Sequence, residues 1–228
     1  MNDQNNIFTA ELVKVTKAFS RSGNETIAVN NVSFRVCAGE LILLLGPSGS
    51  GKTTLLTLLA GLQKPTSGDV FIFGKKVQDY SPGELQRLRA SSMGFIFQTF
   101  CLLENLNVLD NVTLVMKFAG TPGKLARNHA VECLDRFGVG HLRDEYPGKL
   151  SQGEKQRVAV ARAIANGARL ILADEPTGSL ATEQGMAIIE FLHESVTNDG
   201  LSVVIASHDE RIMKYADRVY RLRDGFLL

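Results

Sequence analysis

"ELILLLGPSGSGKTTLLTLLAGL", residues 40–62, decides how this chain folds. It opens on an unbroken apolar run, Leu41–Leu45, of strand length and without polar alternation. That is the pattern of a strand covered on both faces, hence of a parallel sheet flanked by helices. It closes on "TTLLTLLAGL", whose leucines recur at helical spacing up to a stop at Gly61. Between the two lies Gly46-Pro47-Ser48-Gly49-Ser50-Gly51-Lys52-Thr53, which satisfies G-x-x-x-x-G-K-[ST]. Glycines there let backbone N–H groups turn inward on phosphate oxygens at the positive end of the following helix. Lys52 is placed to reach the outer phosphates and the Thr53 hydroxyl to hold Mg²⁺. A glycine-rich turn can match such a pattern by chance. With a strand before it and a helix after it, the expected ligand is a nucleoside triphosphate.

Working outward, "RLILADE" at 169–175 and "LSVVIASH" at 201–208 repeat the continuous apolar character. "AELVKV" and "VNNVSFRV" alternate instead and read as half-exposed strands. "SPGELQRLR" opens with Ser81, Pro82 and a Glu at the capping-box position, a helix start. From about Leu85 to Ala165 the pattern is mostly helical, with a glycine-containing break near Ala119–Gly123, and suggests a helical subdomain inserted into an α/β core. "RVYRLRDGFLL" reads as a hairpin with an Asp-Gly turn. No internal repeat or low-complexity linker breaks the chain. The expected organisation is a single domain over 1–228, with the core and a β subdomain in about 1–84 and 167–228 and the helical part in about 85–166.

The 228 residues carry a formal net charge of +1, with 44% hydrophobic and 21% charged residues. This is a globular composition, and the near-neutral balance offers no electrostatic reason to expect nucleic acid as a partner. Cys37, Cys101 and Cys133 share no CxxC spacing and read as reduced thiols rather than a disulfide frame or zinc site. The N-terminal stretch is polar and unlike a signal sequence, and no apolar run approaches the ~20 residues of a membrane helix.

Asp174 and Glu175 close a buried run as two adjacent carboxylates, which repel one another unless a cation or a helix end offsets them. A solvated acidic turn is the bland reading. Beside a phosphate-binding loop, Asp174 is expected to bind Mg²⁺ and Glu175 to polarise the attacking water as general base. "LSQGEKQRVAVARAIANG", residues 150–167, has Ser151 and Glu154 as a capping box before a helix that stops at Gly167. The same exposed helix N-terminus can hold an anion.

The order and spacing of Gly46–Thr53, Gln98 in "GFIFQTF", "LSQGE", "LILADEPTG" and "VVIASHD" resemble those of the ATP-binding-cassette (ABC) ATPases over nearly the whole chain. "LQRLRASSMGFIFQTFCLLENLNVLDNV" is similar more particularly to the lipoprotein-release and macrolide-export (LolD/MacB-like) branch. The resemblance implies an α/β fold: a P-loop NTPase (RecA-like) core with a mostly parallel sheet, an N-terminal antiparallel β subdomain and the inserted helices. It implies a head-to-tail homodimer with each ATP between one copy's P-loop and the other's signature segment. The implied nucleotide contacts are Phe19, Gly46, Pro47, Ser48, Gly49, Ser50, Gly51, Lys52, Thr53 and Thr54. Ser151, Gln152, Gly153 and Glu154 are the implied contacts across the dimer, Ser151 and Gly153 at the γ-phosphate. Mg²⁺ would be held by Thr53, Gln98 and Asp174, with Glu175, His208 and Gln98 in the catalytic set. Phe19 stands where the family stacks a Tyr on adenine; an isolated aromatic serves a core equally well. Phe100, Leu102, Leu103 and Leu106 are candidates for a groove that accepts a segment of an integral-membrane permease, or for ordinary packing.

On this reading the chain is cytoplasmic, peripheral on the inner face of the membrane through its permease, and powers export or extraction of a lipid, lipoprotein or drug-like substrate. Two departures from the family pattern matter. Glu154 replaces the usual Gln, and Ala181 in "GSLA" replaces the Asp that links the two sites. They keep open a slow-turnover regulatory ATPase controlling a membrane partner. A DNA-repair or chromosome-structure relative would insert a long coiled coil between Lys52 and Asp174. A GTPase would carry N-K-x-D. Neither feature is present in the sequence.

Overall fold

A computed structural model describes residues 8–21 and 24–228. The chain order is β1 (Phe8–Arg21), β2 (Asn24–Cys37), β3 (Leu41–Leu45), α1 (Lys52–Leu59), β4 (Ser67–Ile72), β5 (Lys75–Lys76), α2 (Pro82–Ser92), β6 (Met93–Ile96), α3 (Val108–Phe118), α4 (Gly123–Arg136), α5 (Gln152–Ile164), β7 (Leu170–Asp174), α6 (Thr182–Asp199), β8 (Ser202–Ser207), β9 (Arg218–Arg223) and β10 (Phe226–Leu227), with four short 3₁₀ turns between them. A four-stranded antiparallel sheet has the order β2-β1-β4-β5. The second sheet has the order β10-β9-β3-β8-β7-β6, parallel throughout except for the terminal hairpin strand β10. The hairpin turns through Asp224 (φ 50°) and Gly225 (φ 83°), both left-handed as a two-residue primed turn requires.

The strand period of two explains the unbroken apolar runs. Leu41, Leu43 and Leu45 join one hydrophobic core with Ile171, Ala173, Val203 and Ile205. Ile42 and Leu44 join the other, with Leu170, Leu172, Val204 and Ala206. The first core is roofed by α3–α6. The second is roofed by α1, through Leu55, Leu56, Leu58 and Leu59, and by the inner face of the antiparallel sheet. Each strand is therefore buried on both sides, and alternation vanishes from its sequence.

One element differs from the sequence expectation. The stretch 85–166, read as mostly helical, contains the strand β6, which pairs with β7 at the edge of the core sheet. Four residues carry no usable periodicity. The clue lies in Gly94, where an added Cβ would stand 2.0 Å from the Ala163 carbonyl oxygen, so only glycine lets α5 lie against this strand. The capping boxes at Ser81–Glu84 and Ser151–Glu154 both form, starting α2 and α5 where the sequence places them.

Candidate functional site

The loops that leave the C-terminal ends of β3, β6, β7 and β8 meet at one end of the parallel sheet, where open α/β sheets bind ligands. After β3 the chain turns through Gly49 (φ 80°) and Gly51 (φ 104°) and enters α1 at Lys52, with no side-chain cap on the helix. A Cβ at Gly51 would stand 2.3 Å from the Ala28 carbonyl oxygen, and one at Gly46 equally close to that of Leu222. These glycines let the loop nest against β2 and β9, leaving the first N–H groups of α1 free for an anion. The buried Lys52 ammonium donates to the carbonyls of Gly46 (2.7 Å) and Pro47 (2.9 Å), and stands 3.8 Å from the Glu175 carboxylate. Ser50 Oγ is buried with no partner among the described residues.

Opposite this loop, Asp174 ends β7 and accepts a hydrogen bond from Thr53 Oγ1 at 2.8 Å through Oδ2. Its Oδ1 is buried and has no partner among the described residues. Burial pushes the Asp174 carboxyl above its ordinary range. Glu175 adds to that push, against the Thr53 hydrogen bond and the nearby Lys52. A buried carboxylate with an orphan oxygen beside a hydroxyl is a set of hard oxygen donors, and these residues fit a divalent cation such as Mg²⁺. Glu175 follows in the left-handed region (φ 46°), which turns its side chain out of the strand direction. Its carboxylate accepts from Ser207 Oγ at 3.1 Å and lies 3.1 Å from His208 Nδ1, at the end of β8. Lys52, Thr53, Asp174, Glu175 and His208 thus stand together.

Gln98 follows β6 by two residues and is tied to the loop after Glu175, because Ser179 Oγ donates to its backbone carbonyl at 3.1 Å. Among the described residues no hydrogen bond joins its side chain to Thr53 or Asp174. Gln98 lines a cavity of about 290 Å³ together with Gln152. The signature residues Ser151–Glu154 begin α5, and no hydrogen bond or ion pair among the described residues links them to Gly46–Thr54. Glu154 turns back on its own helix end, accepting from Ser151 N (2.8 Å) and Ser151 Oγ (2.7 Å). The Ser151 hydroxyl and N–H hold its carboxyl below the ordinary range. A Cβ at Gly153 would meet only the mobile amide of Gln184, so packing does not by itself demand glycine there. Phe19 stands 41% exposed on β1, opposite Thr26, two residues from the Ala28 carbonyl that abuts Gly51.

Three contributors went unread in the sequence. Ser207 orients Glu175. Gln156, fully buried in α5, donates to the Pro176 carbonyl at 2.8 Å and ties the signature helix to the loop after Glu175. Its signal was available: with Ala159, Val160 and Ala163 it occupies the buried stripe of the helix, a polar residue on an apolar face. Arg162 donates to the carbonyls of Phe100 and Cys101, which follow Gln98 in consecutive left-handed conformations.

A glycine-rich phosphate loop between strand and helix, facing an Asp-Glu pair at the end of a parallel strand one place removed in the sheet, defines a P-loop nucleotide-hydrolase fold. Residues 29–178 match the family model described as "ABC transporter". A putative hemin import ATP-binding protein of Staphylococcus epidermidis is 40% identical over 92% of this chain and 95% of its own. A macrolide export ATP-binding/permease protein of Rhodopseudomonas palustris is 39% identical over 96% of this chain, which spans 34% of that longer protein. Among solved structures, the dimeric post-hydrolysis state of the ATP-binding cassette MJ0796 of Methanocaldococcus jannaschii, bound to ADP and Pi, is 36% identical. It superposes with a TM-score of 0.89 over 96% of each chain. The chain belongs to the ABC transporter family, as an ATP-binding cassette ATPase.

Proposed function

We propose that this chain dimerises head to tail on ATP and couples hydrolysis to work on a separate integral-membrane permease. The observation that carries the reading is the line Thr53–Asp174–Glu175–His208 set against the loop Gly46–Lys52. Lys52 would bind the β- and γ-phosphates, and backbone N–H groups of Gly49–Thr54 would hold the remaining oxygens. Thr53, Asp174 and Gln98 would hold Mg²⁺, which neutralises charge developing on the transferred phosphoryl group. Glu175 would accept a proton from the attacking water, its carboxylate held in place by Ser207 and His208. Phe19 would stack on the adenine, its ring already beside the Lys17 ammonium at 5.0 Å. That no hydrogen bond or ion pair among the described residues joins Ser151–Gly153 to the chain's own P-loop supports their service to a second copy.

Supporting a permease partner, the macrolide export relative has its ATP-binding and permease parts in one protein. No helix among the described residues is long and apolar enough to cross a membrane, and on this reading the permease would supply the span. The chain would then work on the cytoplasmic side, at the inner face of the membrane. We assign export or extraction of a lipid, lipoprotein or drug-like substrate, on the similarity of residues 85–112 to the release and export branch. The hemin import relative represents the opposite direction. A second reading, a slow-turnover regulatory ATPase, draws on Ala181, which offers α6 no side-chain cap, and on Glu154, which engages Ser151.

Replacement of Glu175 by Gln tests the assignment. The variant should keep ATP binding, lose roughly 100- to 10,000-fold in hydrolysis rate, and accumulate as an ATP-bound dimer. Undiminished turnover would overturn the role of Glu175.

A further inference from the structure

Gln156 lies five residues after Ser151 in α5 and is 1% exposed. A side-chain amide taken from water needs a hydrogen-bond partner, and this one finds the Pro176 carbonyl at 2.8 Å. Pro176 is itself buried, and no backbone N–H among the described residues reaches its carbonyl. Each group therefore offsets the desolvation of the other, and loss of the amide would leave the carbonyl without a donor.

The position of that carbonyl gives the bond its meaning. Pro176 follows Glu175 directly. With the intervening peptide planar and the proline φ fixed, a carbonyl held at Pro176 leaves Glu175 little freedom. Glu175 needs such a hold. It is left-handed at φ 46°, a conformation that a non-glycine residue keeps only where its surroundings impose it. Its N–H donates to the Ala206 carbonyl at 2.8 Å, and its own carbonyl accepts from the Gly178 N–H at 3.0 Å. Ser207 and His208 engage its carboxylate. Those contacts come from β8 and from the loop itself. Gln156 supplies the remaining side of the frame, from the signature helix.

We infer that Gln156 is a positioning residue for the base of its own chain: by holding the Pro176 carbonyl it sets the orientation of Glu175. This rests on the reading in which Glu175 is the general base and each ATP site is shared between two copies, and it adds a residue outside the catalytic set named above. One helix then serves two sites. The N-terminus of α5 attends the ATP bound by the second copy, whereas Gln156 acts on the ATP bound by its own chain. A base displaced by about 1 Å can lose roughly 100-fold in rate, so a buried bond one residue away has leverage on hydrolysis. If Gln156 instead served only to keep α5 and its Ser151 in place, its loss would be felt at the other copy's ATP.

The test puts one substitution in two places. Lys52→Ala and Ser151→Arg chains are mixed with ATP. The competent site then takes Lys52 and Glu175 from the Ser151→Arg chain, and Ser151 from the Lys52→Ala chain. Gln156→Met removes the donor at similar length and is added to one chain or to the other. Added to the Ser151→Arg chain, beside the working Glu175, it should lower hydrolysis at saturating ATP roughly tenfold or more. The affinity of that chain for a fluorescent ATP analogue should stay within about twofold, because the phosphate loop is untouched. Added to the Lys52→Ala chain, beside the working Ser151, it should leave the rate within about twofold. Thermal unfolding establishes that each chain is folded at the assay temperature. If Gln156→Met does not fold, Gln156→Asn, whose amide falls one methylene short, replaces it with the same expectations. Equal losses in the two placements, a loss confined to the Lys52→Ala chain, or no loss in either would overturn the inference. A mixture already inert without Gln156→Met would bring down the shared-site reading, and the inference with it.

Discussion

Ala181 sits at the N-cap of α6 and offers no oxygen to the orphan N–H groups of the first turn. An Asp there supplies that acceptor, so Ala181→Asp should stabilise the protein by about 0.5–2 kcal/mol in thermal unfolding. The same side chain is the one that links the two sites in the family resemblance. ATP hydrolysis by Ala181→Asp should therefore be faster or more cooperative than in the wild type, and equal rates and cooperativity would sink the idea that Ala181 slackens the link. Glu154, the other departure, has a local explanation. Its carboxylate is taken up by Ser151, so the extra charge is held at its own helix end. Gln156 is the residue whose importance only the fold reveals. Gln156→Leu removes the donor to the Pro176 carbonyl in the interior and should cost about 1–3 kcal/mol in stability. An unchanged unfolding midpoint would contradict that role.

At the scale of elements, what could be read in advance was what local chemistry decides. Ser81 and Ser151 start α2 and α5 because each meets a Glu three residues on, and Gly61 and Gly167, in the left-handed region, follow the ends of α1 and α5. The first of these boxes makes a pH prediction. Backbone and side-chain hydrogen bonds from Ser81 lower the Glu84 carboxyl from 4.5 to about 2 in the folded protein. A depressed folded pKa means the contribution is fully present above 4.5 and fades as pH falls toward 2. The stability difference between wild type and Glu84→Gln should shrink across that window, and a constant difference would rule out the carboxylate as the source. Strand β6 escaped the sequence because its four residues lie among helices and its partner, β7, is distant in the chain. Its Gly94 shows the constraint. Gly94→Ala would push a methyl into the Ala163 carbonyl and cost about 1–3 kcal/mol or more, visible as a lowered unfolding midpoint.

For the whole molecule, the P-loop, the acidic pair and the signature were legible because each is a short motif with its own chemistry. The relation between them was not. Glu175 needs Ser207 and His208 from β8, and Gln98 needs Ser179 from the loop after β7, juxtapositions made by sheet order rather than by spacing. Among the described residues, no hydrogen bond or ion pair joins Ser151–Gly153, at the start of α5, to the loop Gly46–Thr54 of their own chain. The proposed function makes its central claim here: each ATP site would be shared between two copies, one supplying Lys52 and the other Ser151. Mixing two inactive variants tests it most directly. Lys52→Ala and Ser151→Arg chains should each be inert alone. Combined, they form mixed dimers in which one site joins an intact Lys52 to an intact Ser151, and hydrolysis should return. A mixture as inert as its components would contradict the shared site, as would Ser151→Arg alone hydrolysing ATP at the wild-type rate.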